Sequence, residues 1–563
     1  MRRALAALSS ASFLLEQFYA SSRYLAHQST AVNLSEEEFA ALVEAAADFD
    51  DYHSTRYFVK RDPGSASGDQ SPLQLRDPSV LPPWAFALRR MFSALADLEF
   101  GSRRRSPLAA ICEAGGRHGF YELEATIAPT LLALVSQKAR RRLKQNLKRI
   151  LEQVTGPSLE LERRSYSLAL TAIGLQKERT SQTFSDHKFL GRKPSDRLFS
   201  LFKRFPVLAR LWSQLIIQWR DQANELLIRL RADRTALSRA LLGGQVTGPI
   251  VDLHCGLSDP HNGGRTVMLL RFAAGSAIYK PRSGDSEWEW FSFLKEINAR
   301  SFQPQLKVAR VLRRKRYSWM EWIEPSSCKN KSEARRFYRR MGGIIGAAYL
   351  LKATDCHRDN VIASGEHPVL IDAEGLYHFS LERKAETSLD RLRRTGFFPS
   401  SDRRSLQSRS SVLRGLAAVK RTATIRGEAL DAAEYKEEIV EGFSRAWRCA
   451  LGTKSGRAAL VRRLQRISSR KRRWIYRATE EYAAIMRASI QPAAVRSGIE
   501  RELLIARLCS RRTAPSSIIH AEINALKRLD IPYLLKRTKK WPAPAKETVL
   551  IEVIEGLHRT LGS

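Results

Sequence analysis

The stretch 354-TDCHRDNVIASGEHPVLIDAEGL-376 packs three aspartates, two glutamates, two histidines and an asparagine into one short span. Oxygen donors at this density suit phosphoryl transfer, where a base orients the attacking hydroxyl while an amide and a carboxylate hold magnesium. His357-Arg358-Asp359 looks like the HRD of a protein-kinase loop, which would make Asp359 the base. In that loop, however, the magnesium-holding Asn lies five residues after the base. Five after Asp359 stands Ser364, and five after Asp355 stands Asn360. Spacing therefore selects Asp355 as base and Asn360 as metal ligand. Asp372 closes the apolar run Val369-Leu370-Ile371, as a second magnesium ligand at a strand end should, and Glu374 is near enough to support it.

Phosphoryl transfer also needs a cation on the nucleotide phosphates. Lys280 ends the run AIYK, where a rigid strand would aim its ammonium. Taken singly, each residue has an ordinary structural use: a surface lysine, a turn-capping Asp or Asn, a hydrogen-bonded core histidine for His357. Their order and spacing together point to an ATP and magnesium site. No GxGxxG loop precedes Lys280; 258-SDPHNGGRTVMLL-270 stands there instead, with Gly263 and Gly264 at an expected turn, which argues against an ordinary protein kinase.

The elements that must hold these residues follow from hydrophobic period. Apolar residues recur at helical spacing in 121–154 and 207–242, so residues 1–245 are expected to be a helical region. The start, MRRALAALSSASFLLEQFY, is expected to form an amphipathic helix, since Glu16 interrupts its apolar stretch. Residues 59–83, rich in Pro, Gly and Ser, read as a loop. From 246 to 425 the texture changes. Short β-like runs at 267–273, 276–281, 307–312 and 317–323 precede a helix at 334–353, the polar loop, and runs at 361–363 and 369–372. That is the order of the catalytic half of a kinase-like fold. Residues 377–425 read as an activation-loop-like segment with a short helix, and 426–563 as helical again. The expected class is α+β: a kinase-like core with large, mainly α-helical N-terminal and C-terminal additions.

The chain's 563 residues carry 95 Lys+Arg against 58 Asp+Glu, a net charge of +37 that favours anionic partners. No nucleic-acid-binding signature accompanies the charge, and no nucleic-acid partner is expected. The six cysteines form no CxxC pair and no zinc spacing, so reduced thiols in a cytoplasmic protein are expected. No apolar run is long enough for a transmembrane span.

Three segments, 258-SDPHNGGRTVMLLRFAAGSAIYKPR-282, 317-YSWMEWIEP-325 and 355-DCHRDNVIASGEHPVLIDAEGL-376, together resemble the dehydratase domain of class II lanthipeptide synthetases, the LanM family. The resemblance continues in 205-FPVLARL-211, 392-LRRTGFFP-399, 473-RWIYRATEEY-482 and 519-IHAEINALKRLDIPY-533. It implies a lipid-kinase-like core that phosphorylates Ser and Thr of a precursor peptide with ATP and magnesium. The same region would then eliminate the phosphate, giving dehydroalanine or dehydrobutyrine. Lys280, Asp355, His357, Asn360, Asp372 and Glu374 match the family's phosphorylation residues. Asp259 and His261 match its elimination residues, as do Arg473 and Thr479, with Arg477 nearby. Asp252-Leu253-His254 is also an Asp-x-His, but no NGGRTV run follows it. Arg473 suits the leaving phosphate's developing charge, and His261 suits proton transfer near neutral pH, as donor or acceptor.

Three positions depart from the family's usual pattern: Asp359 for Glu, Gly375 for Thr, and Ala478 for Pro. Gly375 is expected to loosen the backbone beside Glu374. The resemblance implies a ribosomal precursor peptide with a leader as partner, with a separate cyclase and a membrane transporter as further associates. The chain ends at Ser563, about where the family's zinc-bearing cyclase would begin. No zinc is expected, and a stand-alone dehydratase, half of a split synthetase or a truncated product are the expectations. Beside the dehydratase stand a peptide kinase without elimination and an inactive truncated synthetase that binds precursor peptide.

Overall fold

The computed structural model describes residues 36–47, 83–96, 106–172, 189, 194–377, 387–398, 423–510, 514–537 and 547–562. The expected first helix and the loop at 59–83, save Pro83, lie outside them, as does most of 377–425. The architecture is α+β and mostly helical. Among the described residues, no helix is long and apolar enough to cross a membrane.

Before residue 250 the described elements are helices, built around Pro206–Leu241. Pro206 opens this helix, where its missing N–H costs nothing. Leu208, Leu211, Trp212, Leu215, Trp219, Ala223, Leu226 and Leu230 then recur at helical spacing and are buried. Each large side chain so covered contributes roughly 1.5–3 kcal/mol. This stripe packs against helices Glu36–Ala46, Pro83–Ala96, Pro107–Thr126 and Gln137–Ala172.

The helical layer carries a five-stranded antiparallel sheet: β1 (Asp252–His254), β2 (Met268–Phe272), β3 (Gly275–Lys280), β4 (Val311–Arg313) and β5 (Ser318–Glu321), in the order β1-β2-β3-β5-β4. Strand alternation gives the sheet two faces. Leu270, Ala277, Tyr279 and Trp319 join the core shared with the helices. Leu269, Ile278, Lys280 and Met320 point the other way, into a cleft. Buried Asp233, on Pro206–Leu241, ties sheet to helix: it accepts from Trp319 Nε1 at 2.8 Å and from Arg314 Nε at 2.9 Å.

Below the cleft, helices Asp285–Ala299, Lys331–Leu350 and Lys436–Leu451 share a second core with the hairpin β6 (Val361–Ser364) and β7 (His367–Leu370). The small hairpin β8 (Thr424–Ile425) and β9 (Glu428–Ala429) follows. One difference from the sequence reading lies near the C-terminus, expected to be helical throughout. β10 (Arg472–Trp474) pairs antiparallel with β11 (Leu534–Lys536), Arg473 opposite Leu535. Helices Thr479–Ser489, Gly498–Cys509 and Ser516–Lys527 lie between them in sequence. Strands this short have no readable period; their partner makes them strands.

Candidate active site

The unpacked sheet face, the loop after Lys331–Leu350, the end of β7 and the β10–β11 ribbon enclose a cleft of about 830 Å³. Asp259, His261, Lys280, Asp355, His357, Asn360, Asp372, Glu374, Arg473 and Thr479 all line it. Asp252, the rejected alternative to Asp259, sits outside the cleft, paired with Lys138 at 2.7 Å and Arg142 at 3.4 Å.

Lys280 is 4% exposed at the end of β3. Its Nζ donates to Glu287 Oε1 at 2.7 Å and to the Ile371 carbonyl at 2.6 Å, so the lysine bridges the sheet and the base of Asp372. Glu287 opens the next helix and also receives Arg282, whose Nη2 lies 2.6 Å from Oε1. Arg282 reaches on to Asp372 Oδ1 at 3.0 Å and pairs through Nε with Glu374. Buried Glu287 and Glu374 and the half-buried Asp372 thus share Lys280 and Arg282. Burial opposes ionisation of Asp372, yet Arg282 and Lys280 outweigh it and hold the acid well below the usual range. Glu374 moves the other way: burial, joined by the charge of Asp372, pushes it up against Arg282 and Arg473.

The loop bearing Asp355 is held from two sides. Thr354 N–H donates to the Gly375 carbonyl at 2.9 Å, and Cys356 N–H to the Thr395 carbonyl at 2.8 Å. Asp355 between them has φ +64, a left-handed backbone that favours Asp and Asn among side-chain-bearing residues. The motif LRRTGFFP therefore buttresses this loop: Gly396, at φ +89, lies so close that a Cβ would be 3.0 Å from Cys356 N. Gly375 does not loosen its surroundings, as the sequence reading expected. A Cβ there would lie 2.3 Å from the Thr354 carbonyl oxygen, so glycine permits close packing of the two loops. Ala478 has φ −59, a value that a proline would also hold.

Asn360 Nδ2 donates to the Asp355 carbonyl at 2.7 Å, which turns Oδ1 away, and the Asn360 carbonyl accepts from Ile371 N–H at 2.8 Å. Asn360 and Asp372 are thereby fixed beside one another. An amide oxygen and a carboxylate are a fitting partial set for magnesium, which takes one or two protein carboxylates and completes its shell with phosphate and water. His357 Nε2 faces Asp355 Oδ1 at 3.4 Å; that hydrogen bond is the main reason its pKa is raised.

Opposite this group lies the turn Asp259–Gly264. His261 Nδ1 is 2.7 Å from the Ile531 carbonyl, and a carbonyl only accepts. Nδ1 therefore carries the proton, and Nε2 is the acceptor nitrogen. Burial, then the charge of Arg473, lowers the His261 pKa to about 3, so the ring is neutral. Asp259 is raised, chiefly by burial. Arg473, on β10, donates to Glu374 Oε2 at 3.1 Å and lies over the Tyr533 ring at 5.5 Å. Thr479 is the first residue of helix Thr479–Ser489. Arg477 is not part of the cleft: it is buried against Glu522 and the Cys509 carbonyl.

The sequence reading missed Arg282, Glu287 and Tyr533. Arg282 had a signal, two residues beyond Lys280 in YKPR, and Glu287 opens the helix after that strand. Tyr533 closes the resembling segment 519-IHAEINALKRLDIPY-533, but nothing local marks it, and the fold carries it to the cleft from far along the chain.

A family model described as "Domain of unknown function (DUF4135)" matches residues 205–423 and 412–536, more than half of the chain and all the cleft residues named above. The "Lacticin 481/lactococcin biosynthesis protein LcnDR2" of Lactococcus lactis subsp. lactis is 25% identical over 324 residues, covering 49% of this chain. The match spans 35% of that protein's own length, about a third. On these matches, the chain belongs to the DUF4135 family, that of the LanM-type lanthipeptide synthetases.

Proposed function

We propose that this protein is a lanthipeptide dehydratase: it phosphorylates Ser and Thr of a ribosomal precursor peptide with ATP and magnesium, then eliminates the phosphate in the same cleft. The observation that carries this is the 3.1 Å hydrogen bond from Arg473 to Glu374, which joins the phosphorylation residues to the elimination residues across one cavity. The name of the Lactococcus relative, a lacticin 481 biosynthesis protein, supports the same pathway. So does the Lys280–Glu287 pair, which repeats the strand-lysine, helix-glutamate pair of protein kinases in a kinase-like core.

In phosphorylation, Lys280 neutralises nucleotide phosphates, and Asn360 Oδ1 with Asp372 would hold magnesium, which offsets charge on the transferred group. Asp355 accepts the proton of the peptide hydroxyl, its left-handed backbone aiming the carboxylate. In elimination, His261 Nε2 takes the proton from the α-carbon of the phosphorylated residue. The α-carbon–hydrogen pair becomes the new carbon–carbon double bond, and the bond from β-carbon to phosphate oxygen breaks. The phosphate departs with that electron pair, stabilised by Arg473. Phosphate bound beside Arg473 offsets the lesser of the two main causes that lower the His261 pKa, while burial, the larger, remains. The leader and any separate cyclase act outside this cleft. The boundaries near 245 and 425 are part of this proposal.

The test is to search the neighbouring genes for a short peptide rich in Cys, Ser and Thr and to follow that peptide by mass spectrometry after incubation with the protein, ATP and magnesium. Loss of water, abolished by Asp355→Ala, supports the dehydratase. Stable phosphate gain would leave a peptide kinase, and binding without change would leave an inactive synthetase fragment.

A further inference from the structure

The turn that carries His261 is closed by two backbone hydrogen bonds between His261 and Arg265, at 3.0 and 2.9 Å, and is held further from outside. Asn262, Gly263 and Gly264 have φ of 50, 91 and 75, three successive left-handed residues. Within this turn two consecutive N–H groups converge on one carboxylate, as turn backbones can present to an anion. Asp530 Oδ2 accepts from Gly263 N–H at 2.6 Å, and Oδ1 accepts from Gly264 N–H at 2.7 Å. The Asp530 side chain is 1% exposed, and Arg528 is its nearest cation, at 3.8 Å.

The next residue adds two more bonds. Ile531 N–H donates to the Pro260 carbonyl at 2.8 Å, and the Ile531 carbonyl accepts His261 Nδ1–H at 2.7 Å. Four hydrogen bonds from Asp530 and Ile531 therefore fix the backbone of Pro260–Gly264 and the ring of His261. The phosphorylation residues are held by other groups: Lys280 by Glu287 and the Ile371 carbonyl, and the Asp355 loop by Gly375 and Thr395.

We propose that Asp530 is a positioning residue for phosphate elimination, its carboxylate clamping Gly263 and Gly264 so that His261 presents Nε2 to the cleft. This rests on the dehydratase reading of the site. Asp530 touches no substrate; it acts through the turn. Displacing a proton acceptor by about 1 Å lowers a rate by about 10²-fold, whereas a group held elsewhere is spared.

The experiment compares wild type, Asp530→Asn and Asp530→Glu on the precursor peptide with ATP and magnesium, and on its synthetic phosphoserine form. In Asn an NH2 donor replaces one of the two oxygens and would face an N–H, so the two separate bonds cannot both persist, whereas a Glu keeps two oxygens. The expected result for Asp530→Asn is accumulation of phosphopeptide. Elimination from the supplied phosphopeptide falls about 10²-fold, in kcat and not KM, with phosphorylation within about three-fold of wild type. Asp530→Glu falls between. Phosphorylation in the same tube reports that the variant is folded. Wild-type dehydration by Asp530→Asn would overturn the proposal, and so would a parallel fall in both steps, which marks a purely structural residue. A wild-type protein that dehydrates nothing would overturn the underlying reading as well, an outcome distinct from both.

Discussion

Arg473 and Glu374 lie 99 residues apart in sequence and 3.1 Å apart in the cleft, with both side chains largely buried. Glu374 has a second cation in Arg282, so removing Arg473 leaves the carboxylate paired while the cleft loses the guanidinium proposed to meet the leaving phosphate. Arg473→Ala is therefore expected to keep phosphorylation and to slow elimination about 10²–10³-fold, the usual effect of deleting one donor to a developing anion. Phosphopeptide should build up in a mass-spectrometric time course. Equal loss of both steps would count against a divided site.

The side chains of Lys280 and Glu287 are 5% and 1% exposed, and Arg282 binds the same carboxylate. Glu287→Gln leaves both cations buried without the charge that balances them. Breaking a buried pair in this way costs about 3–5 kcal/mol, softened here because Asp372 still faces Arg282. The expected outcome is a lower melting temperature and a phosphorylation rate reduced at least about ten-fold, since Lys280 loses the group that orients it. An unchanged rate would remove Glu287 from the machinery.

How much of this was legible in sequence depends on how each residue is held. Lys280, Asp355, Asn360 and Asp372 are placed by local chain, a strand end or a tight loop, so spacing alone finds them. Asp259, His261, Arg473 and Thr479 needed a family resemblance, because nothing local distinguishes an arginine within RKRR. Arg282 and Asp530 lie within segments that carry the resemblance, and Glu287 just beyond one, yet none of the three was singled out. Their roles exist only as pairings with groups brought close by the fold, and a buried carboxylate reads in sequence like any surface one. Arg477 shows the converse: it stands beside Arg473 in the motif, yet the β10–helix junction turns it onto Glu522. In the fold, strong helical periodicity made the early helices readable, whereas β10 and β11 depend on pairing across three intervening helices.

Gly375 is a site where adding one carbon should matter. Its φ is ordinary, so the strain is steric: a Cβ would lie 2.3 Å from the Thr354 carbonyl oxygen, which is backbone and cannot rotate away. Gly375→Ala must part the Asp372–Glu374 loop from the Asp355 loop or break the 2.9 Å bond between Thr354 N–H and the Gly375 carbonyl. Expected effects are a loss of about 1–3 kcal/mol and a drop in phosphorylation that exceeds any drop in elimination of a supplied phosphopeptide. Denaturation and the two separate rate assays would check this; a variant with wild-type phosphorylation would show that the loops move independently.

The buried neutral state of His261 has a consequence for stability. In the folded protein, burial and then Arg473 bring its pKa to about 3, against about 6.5 for an ordinary histidine. Between those values the unfolded chain binds a proton that the folded chain does not, so acid favours unfolding across that window. His261→Gln removes the titration and keeps a polar side chain. Subtracting the two proteins cancels every other titrating group. Above pH 7 the stability gap between them should be flat. Below pH 6.5 the wild type should lose ground to the variant, by about 2 kcal/mol at pH 5, given 1.36 kcal/mol for each pH unit. Thermal melts from pH 8 to 5 read this directly. A gap that stays constant would mean the ring is charged or solvated in the fold, and Nε2 would then be no proton acceptor at rest.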